Sequence, residues 1–211
     1  MLTVLIDCES GNLHSAQKAF ERIAREGGGA EEVLVSGRAE DAARADRLVL
    51  PGDGAFPACR RALAGADGLE EAAREAVERR GVPFLGICVG MQLLASVGRE
   101  YEEVAGLGWV PGAVERIEAP GLKVPHMGWN DLVIDAPHPL LEGIAAGDHA
   151  YFVHSYAMRM EDSGDLLAHA DYGGPVTAIV ARGNVAGTQF HPEKSQATGL
   201  RLIANFLRWR P

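Results

Sequence analysis

A thiol at position 88 and an imidazole at position 191 are the groups of this chain best placed for nucleophilic acyl chemistry. Cys88 ends the apolar run Val82-Pro-Phe-Leu-Gly-Ile and is followed by Val-Gly-Met-Gln92, so Gly86 and Gly90 flank it. Lacking a Cβ, both glycines let a strand and a helix approach closely on either side of a sharp turn, and such a turn presents its central side chain outward. At a helix start the sulfur also feels the partial positive charge of unpaired N–H groups, which favours thiolate over thiol. The ordinary alternative is a small buried hydrophobe, and the paired glycines argue against it. Cys8 and Cys59 have no such flanks and no evident base, and are read as packing residues.

A nucleophile of this kind needs a base. The segment Gln189-Phe-His-Pro-Glu-Lys-Ser195 offers one, His191, at the end of a strand expected over 184–190. Pro192 fixes the backbone just beyond it. Glu193 can hold the imidazole in one tautomer and stabilise its protonated form, which completes a Cys88, His191, Glu193 triad. Seen alone, His-Pro-Glu is also compatible with a turn bearing a solvated carboxylate.

The elements that must position these groups follow from hydrophobic periodicity. Leu2 to Ile6 reads as a buried strand and Gly11-Asn12 as a turn. Leu13, Ala16, Phe20, Ile23 and Ala24 form a helical stripe stopped by Gly27 to Gly29. A strand at Val33 to Val35, a helix near Ala39 to Ala45 and a strand from Arg47 to Leu50, ending in Pro51-Gly-Asp-Gly54, continue the alternation. A helix carrying Leu69, Ala72, Ala73, Ala76 and Val77 then leads into the strand before Cys88. This rhythm predicts a parallel sheet covered by helices, with ligands at the carboxyl ends of its strands. From about residue 104 short strands and many turns predict antiparallel pairing, and a last helix packs through Leu200, Ile203, Ala204 and Leu207.

The 211 residues, 47% apolar and 23% charged, suit one domain spanning 1–211. A formal charge of −9 leaves no footprint for nucleic acid or an anionic membrane. Three cysteines without a C-x-x-C pair favour a reduced, cytoplasmic chain and give no zinc site. The N-terminus carries neither a basic start nor a long apolar region, and no stretch reaches membrane-spanning length.

Gly86-Ile-Cys-Val-Gly-Met-Gln92 together with His191-Pro-Glu193 resembles the triad-type, class I glutamine amidotransferases. That resemblance implies a flavodoxin-like α/β fold, with a central, mostly parallel sheet flanked by helices and extra antiparallel strands in the C-terminal half. It implies hydrolysis of glutamine to glutamate and ammonia, with no metal and no organic cofactor. Within the class, Pro125-His-Met-Gly-Trp-Asn130, Tyr151-Phe-Val-His-Ser-Tyr156 and Pro51-Gly-Asp-Gly-Ala-Phe56 are similar to glutaminase subunits of histidine biosynthesis. In those, ammonia passes to a separate (β/α)8-barrel cyclase in a heterodimer.

By the same resemblance, the N–H groups of Val89 and of Asp53 hold the oxyanion, and Gly52, Gln92, Glu100, Ser155 and Tyr156 hold glutamine. Asn12, Met127, Trp129, Tyr151 and Lys194 then face the cyclase. Asp53 departs from the family pattern, which often has valine there. By composition alone Glu100 reads equally as an exposed acid of Arg99-Glu-Tyr-Glu-Glu103, and Trp129 and Tyr151 as core residues. Other readings of the same residues are a glutaminase serving another synthase, a cysteine peptidase or related hydrolase on a similar fold, and a glutamine-binding module.

Overall fold

Continuous apolar runs form the first strands, and amphipathic stripes form the helices that cover them. The computed structural model describes residues 1–8, 13–29 and 31–211. The expected turn at Gly11-Asn12, and with it Asn12, lies outside the described residues. The N-terminal half runs β1 (Leu2–Ile6), α1 (Leu13–Glu26), β2 (Glu32–Ser36), α2 (Ala39–Arg44), β3 (Arg47–Gly52), α3 (Phe56–Gly65), α4 (Leu69–Arg74), β4 (Phe84–Cys88) and α5 (Val89–Gln92). Helix α4 continues as a π-helical stretch over Glu75–Arg79. There follow β5 (Val97–Glu100), β6 (Glu102–Ala105), β7 (Gly112–Arg116), β8 (His126–Asp131), β9 (Val133–Ile134), β10 (His149–His154), β11 (Tyr156–Met160), β12 (Leu166–Asp171), β13 (Pro175–Arg182), β14 (Val185–Thr188) and α6 (Gln196–Arg208).

An eight-stranded sheet in the order β2-β1-β3-β4-β14-β13-β12-β9 is the frame. Its pairings are parallel from β2 through to β14, and antiparallel from β14 to β9. Strands β1, β3 and β4 are buried at every residue, as strands covered on both faces must be. The antiparallel β10–β8 ribbon and the β11-β7-β5-β6 sheet lie outside this frame. In that sheet β5–β6 and β7–β11 are antiparallel but β5–β7 is parallel, so the region of short strands begins at β5, a few residues before the change expected near residue 104, and is mostly rather than wholly antiparallel.

One apolar cluster runs from Leu2 to Trp209 and joins strands, helices and the end of the chain. In α6 the buried face is Leu202, Ile203, Phe206 and Leu207, with Leu200 and Ala204 only half-buried beside it. Phe206 meets Phe20 of α1 edge-on, with ring centroids 6.4 Å apart, a geometry that aromatic pairs favour. Cys8 and Cys59 are buried in this cluster. Among the described residues, no helix is long and apolar enough to cross a membrane.

Candidate active site

Cys88 is the last residue of β4, and α5 starts at the next residue. Its φ of 55° and ψ of −113° lie outside the usual regions for a side-chain-bearing residue, a strain of the sort found where a nucleophile is held at a sharp turn. The flanking glycines make this turn possible. A Cβ on Gly86 would come within 2.6 Å of Met91 N, and one on Gly90 would overlap the Leu50 carbonyl of β3. Gly52 ends β3 directly beside Cys88 in the parallel register, and a Cβ there would lie 2.5 Å from Gly90 N. Three close backbone approaches thus fix the sulfur at the carboxyl ends of two neighbouring strands.

His191 reaches the same end of the sheet by another route. Strand β14 stops at Thr188, two residues before the end that the sequence suggests, because its neighbour changes there: Gln189 N still bonds Ala178 O, at 2.8 Å, but His191 N donates to Tyr151 O of β10, at 3.1 Å. Tyr151 N donates to Ser195 Oγ at 2.9 Å, and Ser195 Oγ donates to His191 O at 2.7 Å. This clamp holds the His191 backbone through both its N–H and its carbonyl, and so fixes where the imidazole starts.

The imidazole Nδ1 lies 2.8 Å from Glu193 Oε1, and both side chains are buried. Nδ1 is therefore the protonated nitrogen, since a carboxylate can only accept. Nε2 is buried and makes no hydrogen bond of ordinary geometry with a described residue. It is the nitrogen left to exchange a proton with the nucleophile. Burial acts to lower the pKa of His191, but hydrogen bonding and negative charge from Cys88 and Glu193 outweigh it and raise the value to about 9.

A cavity of about 220 Å³ opens beside the sulfur. Cys88, Val89, Gln92, Glu100, Ser155 and Tyr156 line it, together with Asp53, Gly54 and His154. An adjoining narrow crevice is lined by Gly52, Asp53, His191, Glu193 and Lys194. The expected triad, oxyanion and substrate residues thus meet at one place. Glu100 belongs to the cavity and is 8% exposed, so it is not one of the exposed acids of its segment. The period of β5 turns Gly98 and Glu100 inward and Arg99 outward. The Asp53 carbonyl accepts a hydrogen bond from Cys59 Sγ, at 3.3 Å, which ties the loop to α3.

Met127, Trp129 and Tyr151 lie on the β8–β10 ribbon, where Trp129 pairs with Tyr151 and their rings meet edge-on at 5.8 Å. Met127 and Trp129 are 63% and 48% exposed, so Trp129 is not a core residue. Lys194 is half-buried at the crevice.

Three residues at the site were absent from the sequence reading. Gln189 directs Nε2 toward Cys88 Sγ at 3.8 Å, and His154, in the cavity wall, forms a buried pair with His126. All three stand in segments that sequence analysis singled out, but nothing in their spacing distinguishes them from core polar residues.

The family model for class I glutamine amidotransferases matches residues 4–209. The chain is 66% identical to the imidazole glycerol phosphate synthase subunit HisH of Cereibacter sphaeroides, with all of both chains covered. It is 57% identical to the subunit of the same name from Rhizobium meliloti, again over the whole of both. Among solved structures, a glutamine amidotransferase superposes with a TM-score of 0.74 at 25% identity, covering 98% of this chain and 97% of the other. A glutamine amidotransferase from Thermotoga maritima shares the fold at a TM-score of 0.62 and 16% identity, covering 98% of this chain and 82% of that one. With these motifs, this architecture and these relatives, the chain belongs to the class I glutamine amidotransferase family.

Proposed function

We propose that residues 1–211 form one glutaminase domain, the amidotransferase subunit of an imidazole glycerol phosphate synthase, working in the cytoplasm. The observation that carries this reading is the meeting of Cys88, Gln92, Glu100, Ser155 and Tyr156 around one cavity, with the buried His191–Glu193 pair beside it. The full-length relatives named as HisH support the synthase assignment, and the continuous core from Leu2 to Trp209 supports one domain. A cytoplasmic setting suits a nucleophile that works only as a reduced thiol.

The chemistry follows from the geometry. The Cys88 thiolate attacks the side-chain amide carbon of glutamine, forming a C–S bond and a tetrahedral oxyanion. Val89 N–H, at the start of α5, and Asp53 N–H, on the neighbouring strand end, are the donors assigned to that oxygen. One such donor lowers the barrier by roughly 3 kcal/mol. His191 then gives the Nε2 proton to the departing nitrogen as the C–N bond breaks, and ammonia leaves. In the resulting thioester the sulfur no longer carries charge, so one of the influences that raise the imidazole pKa is gone. Neutral His191 can now take a proton from water, which attacks the thioester and releases glutamate and the thiolate. The sum is glutamine plus water giving glutamate plus ammonia. Gln92, Ser155 and Tyr156 hold the substrate's polar ends, with Gly52 in the adjoining crevice and Glu100 opposite its ammonium.

Free ammonia in neutral water becomes ammonium and loses its nucleophilicity, so the site needs a cover. The cover assigned here is a (β/α)8-barrel cyclase subunit, HisF, which uses the ammonia to form imidazole glycerol phosphate and an aminoimidazole carboxamide ribotide. Met127, Trp129, Tyr151 and Lys194 are its proposed contacts, with Asn12 as a further one outside the described residues. The β8–β10 ribbon supports this, since it exposes Met127 and Trp129 while Val153 and His154 of the same ribbon line the cavity.

The test is glutamate release by the chain alone, then with a barrel cyclase and its ribonucleotide ligand, with Cys88→Ala as blank. Stimulation by the cyclase, lost in Cys88→Ala, is the expected result. High activity without a partner, or none under any condition, overturns the partner assignment.

A further inference from the structure

Behind the cavity a chain of hydrogen bonds runs from the β8–β10 ribbon to the nucleophile. Asn130 Nδ2 lies 3.2 Å from His126 Nε2, and His126 Nδ1 lies 3.1 Å from His154 Nε2. His154 Nδ1 lies 2.8 Å from the Tyr156 carbonyl oxygen, which also accepts from Gln92 Nε2 at 2.9 Å. Gln92 Nε2 donates onward to Gln189 Oε1 at 3.1 Å, and Gln189 Nε2 faces Cys88 Sγ at 3.8 Å.

The direction of every proton in this chain is determined. A carbonyl oxygen only accepts, so His154 carries its hydrogen on Nδ1. With one proton on the ring, His154 Nε2 is an acceptor, and His126 must donate to it from Nδ1. His126 Nε2 is then the acceptor for Asn130. A second proton on either ring would set two N–H groups, or an N–H and an amide donor, against each other. Burial draws both imidazoles down to about 4, assisted for His154 by the neighbouring charges of His126 and His191, so both are neutral near pH 7. The rings are also held in place. His126 is stacked between Tyr172 and Phe152, with centroids at 4.0 and 4.7 Å. An ordered pair of neutral imidazoles is an expensive way to fill a core, because each ring must be desolvated and fully hydrogen-bonded.

We infer that the His126–His154 pair is a positioning element for glutamine: it holds the Tyr156 carbonyl, and through it the Gln92 amide, in the arrangement that receives the substrate beside Cys88. Neither histidine exchanges a proton with the reacting atoms. The inference deepens the glutaminase reading and rests on it.

The test separates recognition of glutamine from bare thiol reactivity. Two reagents are compared on Cys88: 6-diazo-5-oxo-L-norleucine, a diazoketone with the α-amino and α-carboxylate ends of glutamine, and iodoacetamide, which has neither. His126→Phe keeps an aromatic ring between Tyr172 and Phe152 but removes the Nδ1 donor. The expected result is a fall of about tenfold in the ratio of diazoketone to iodoacetamide efficiency, the factor that one broken hydrogen bond in a buried network supplies. His126→Asn, whose amide can replace the donor, is expected to recover most of that ratio. An unchanged ratio in His126→Phe, or equal loss in both variants, reduces the pair to packing and overturns the inference. On the unmodified chain, nitrogen chemical shifts are expected to place both ring protons on Nδ1, and an Nε2–H form of either ring overturns it without any variant. If the wild-type thiol shows no saturable labelling by the diazoketone, the glutaminase reading itself falls.

Discussion

Glu100 Oε2 accepts the backbone N–H of Phe56 at 2.8 Å, within the protein interior. Phe56 is the first residue of α3, where the helix leaves its N–H groups without partners and where its dipole favours a negative charge. One carboxylate oxygen thus secures the helix that follows the Asp53 loop, and the same residue lines the cavity beside Cys88. Charge and hydrogen-bond acceptance are therefore separable. Glu100→Gln keeps an acceptor for Phe56 but loses the charge proposed to face the substrate's ammonium, so KM for glutamine should rise by roughly tenfold or more while the thermal midpoint changes little. Glu100→Ala loses both, and should also destabilise the fold by about 1–2 kcal/mol. Steady-state kinetics and thermal melts of the two variants check this.

The imidazole of His191 should titrate near pH 9 rather than near 6.5. Burial opposes that rise, so it depends on the hydrogen bonding and charge of Cys88 and Glu193. Removing either partner's charge, by Cys88→Ala or Glu193→Gln, should move the midpoint down from about 9, as followed by NMR of the ring. Because the folded value is raised, the associated stability is complete below about 6.5 and is lost as the pH climbs through about 9. A midpoint that stays near 9 in Cys88→Ala would contradict the role assigned to the sulfur.

The frame of this site was legible in the sequence because it depends on local steric rules. Gly86 and Gly90 had to be glycines for backbones to meet at Cys88, and the strands before them are apolar runs. Where longer-range register decides, the sequence says less. Glu100 is buried only because β5 turns alternate residues inward, while its neighbours Arg99, Glu102 and Glu103 are exposed. Arg47, the first residue of β3, is fully buried and pairs with Glu31 at 2.9 Å, a contact made when β3 and the start of β2 come together on either side of β1. His126 and His154 are paired by the register of β8 against β10, which no local pattern carries. The end of β14 was misplaced for the same reason, since the Tyr151 carbonyl rather than β13 takes the His191 N–H.

Trp129 and Met127 occupy the exposed side of a ribbon whose other side carries His126, Phe152 and His154. If that face docks on a cyclase, Trp129→Ala should weaken the complex by about 1–3 kcal/mol, the usual range for a large aromatic anchor. Its effect on iodoacetamide alkylation of Cys88 should be smaller than its effect on binding. Lys194→Ala should likewise reduce coupled ammonia transfer more than thiol reactivity. Titration calorimetry with the cyclase and a coupled synthase assay decide both, and unaltered affinity and transfer would move the interface elsewhere.

The neutral histidine pair should leave a signature in acid. Both rings have values near 4 in the folded chain, against 6.5 when exposed, so between these limits the unfolded chain binds more protons than the folded one. Stability must therefore fall as the pH drops from about 6.5 to about 4, by at most roughly 3 kcal/mol for each ring. His126→Phe removes one of the two titrating groups and also relieves His154 of a neighbouring charge. Its stability at pH 7 should be lower, because His154 Nε2 loses its donor, but its further loss between pH 6.5 and 4 should be shallower than that of the wild type. Urea denaturation at four or five pH values gives both slopes. Carboxylates and His191 titrate in each protein alike, so the difference between the curves isolates the pair. Parallel curves would mean that His126 takes up its proton in the folded state at an ordinary pH, which the hydrogen-bond order from Asn130 to Tyr156 does not permit.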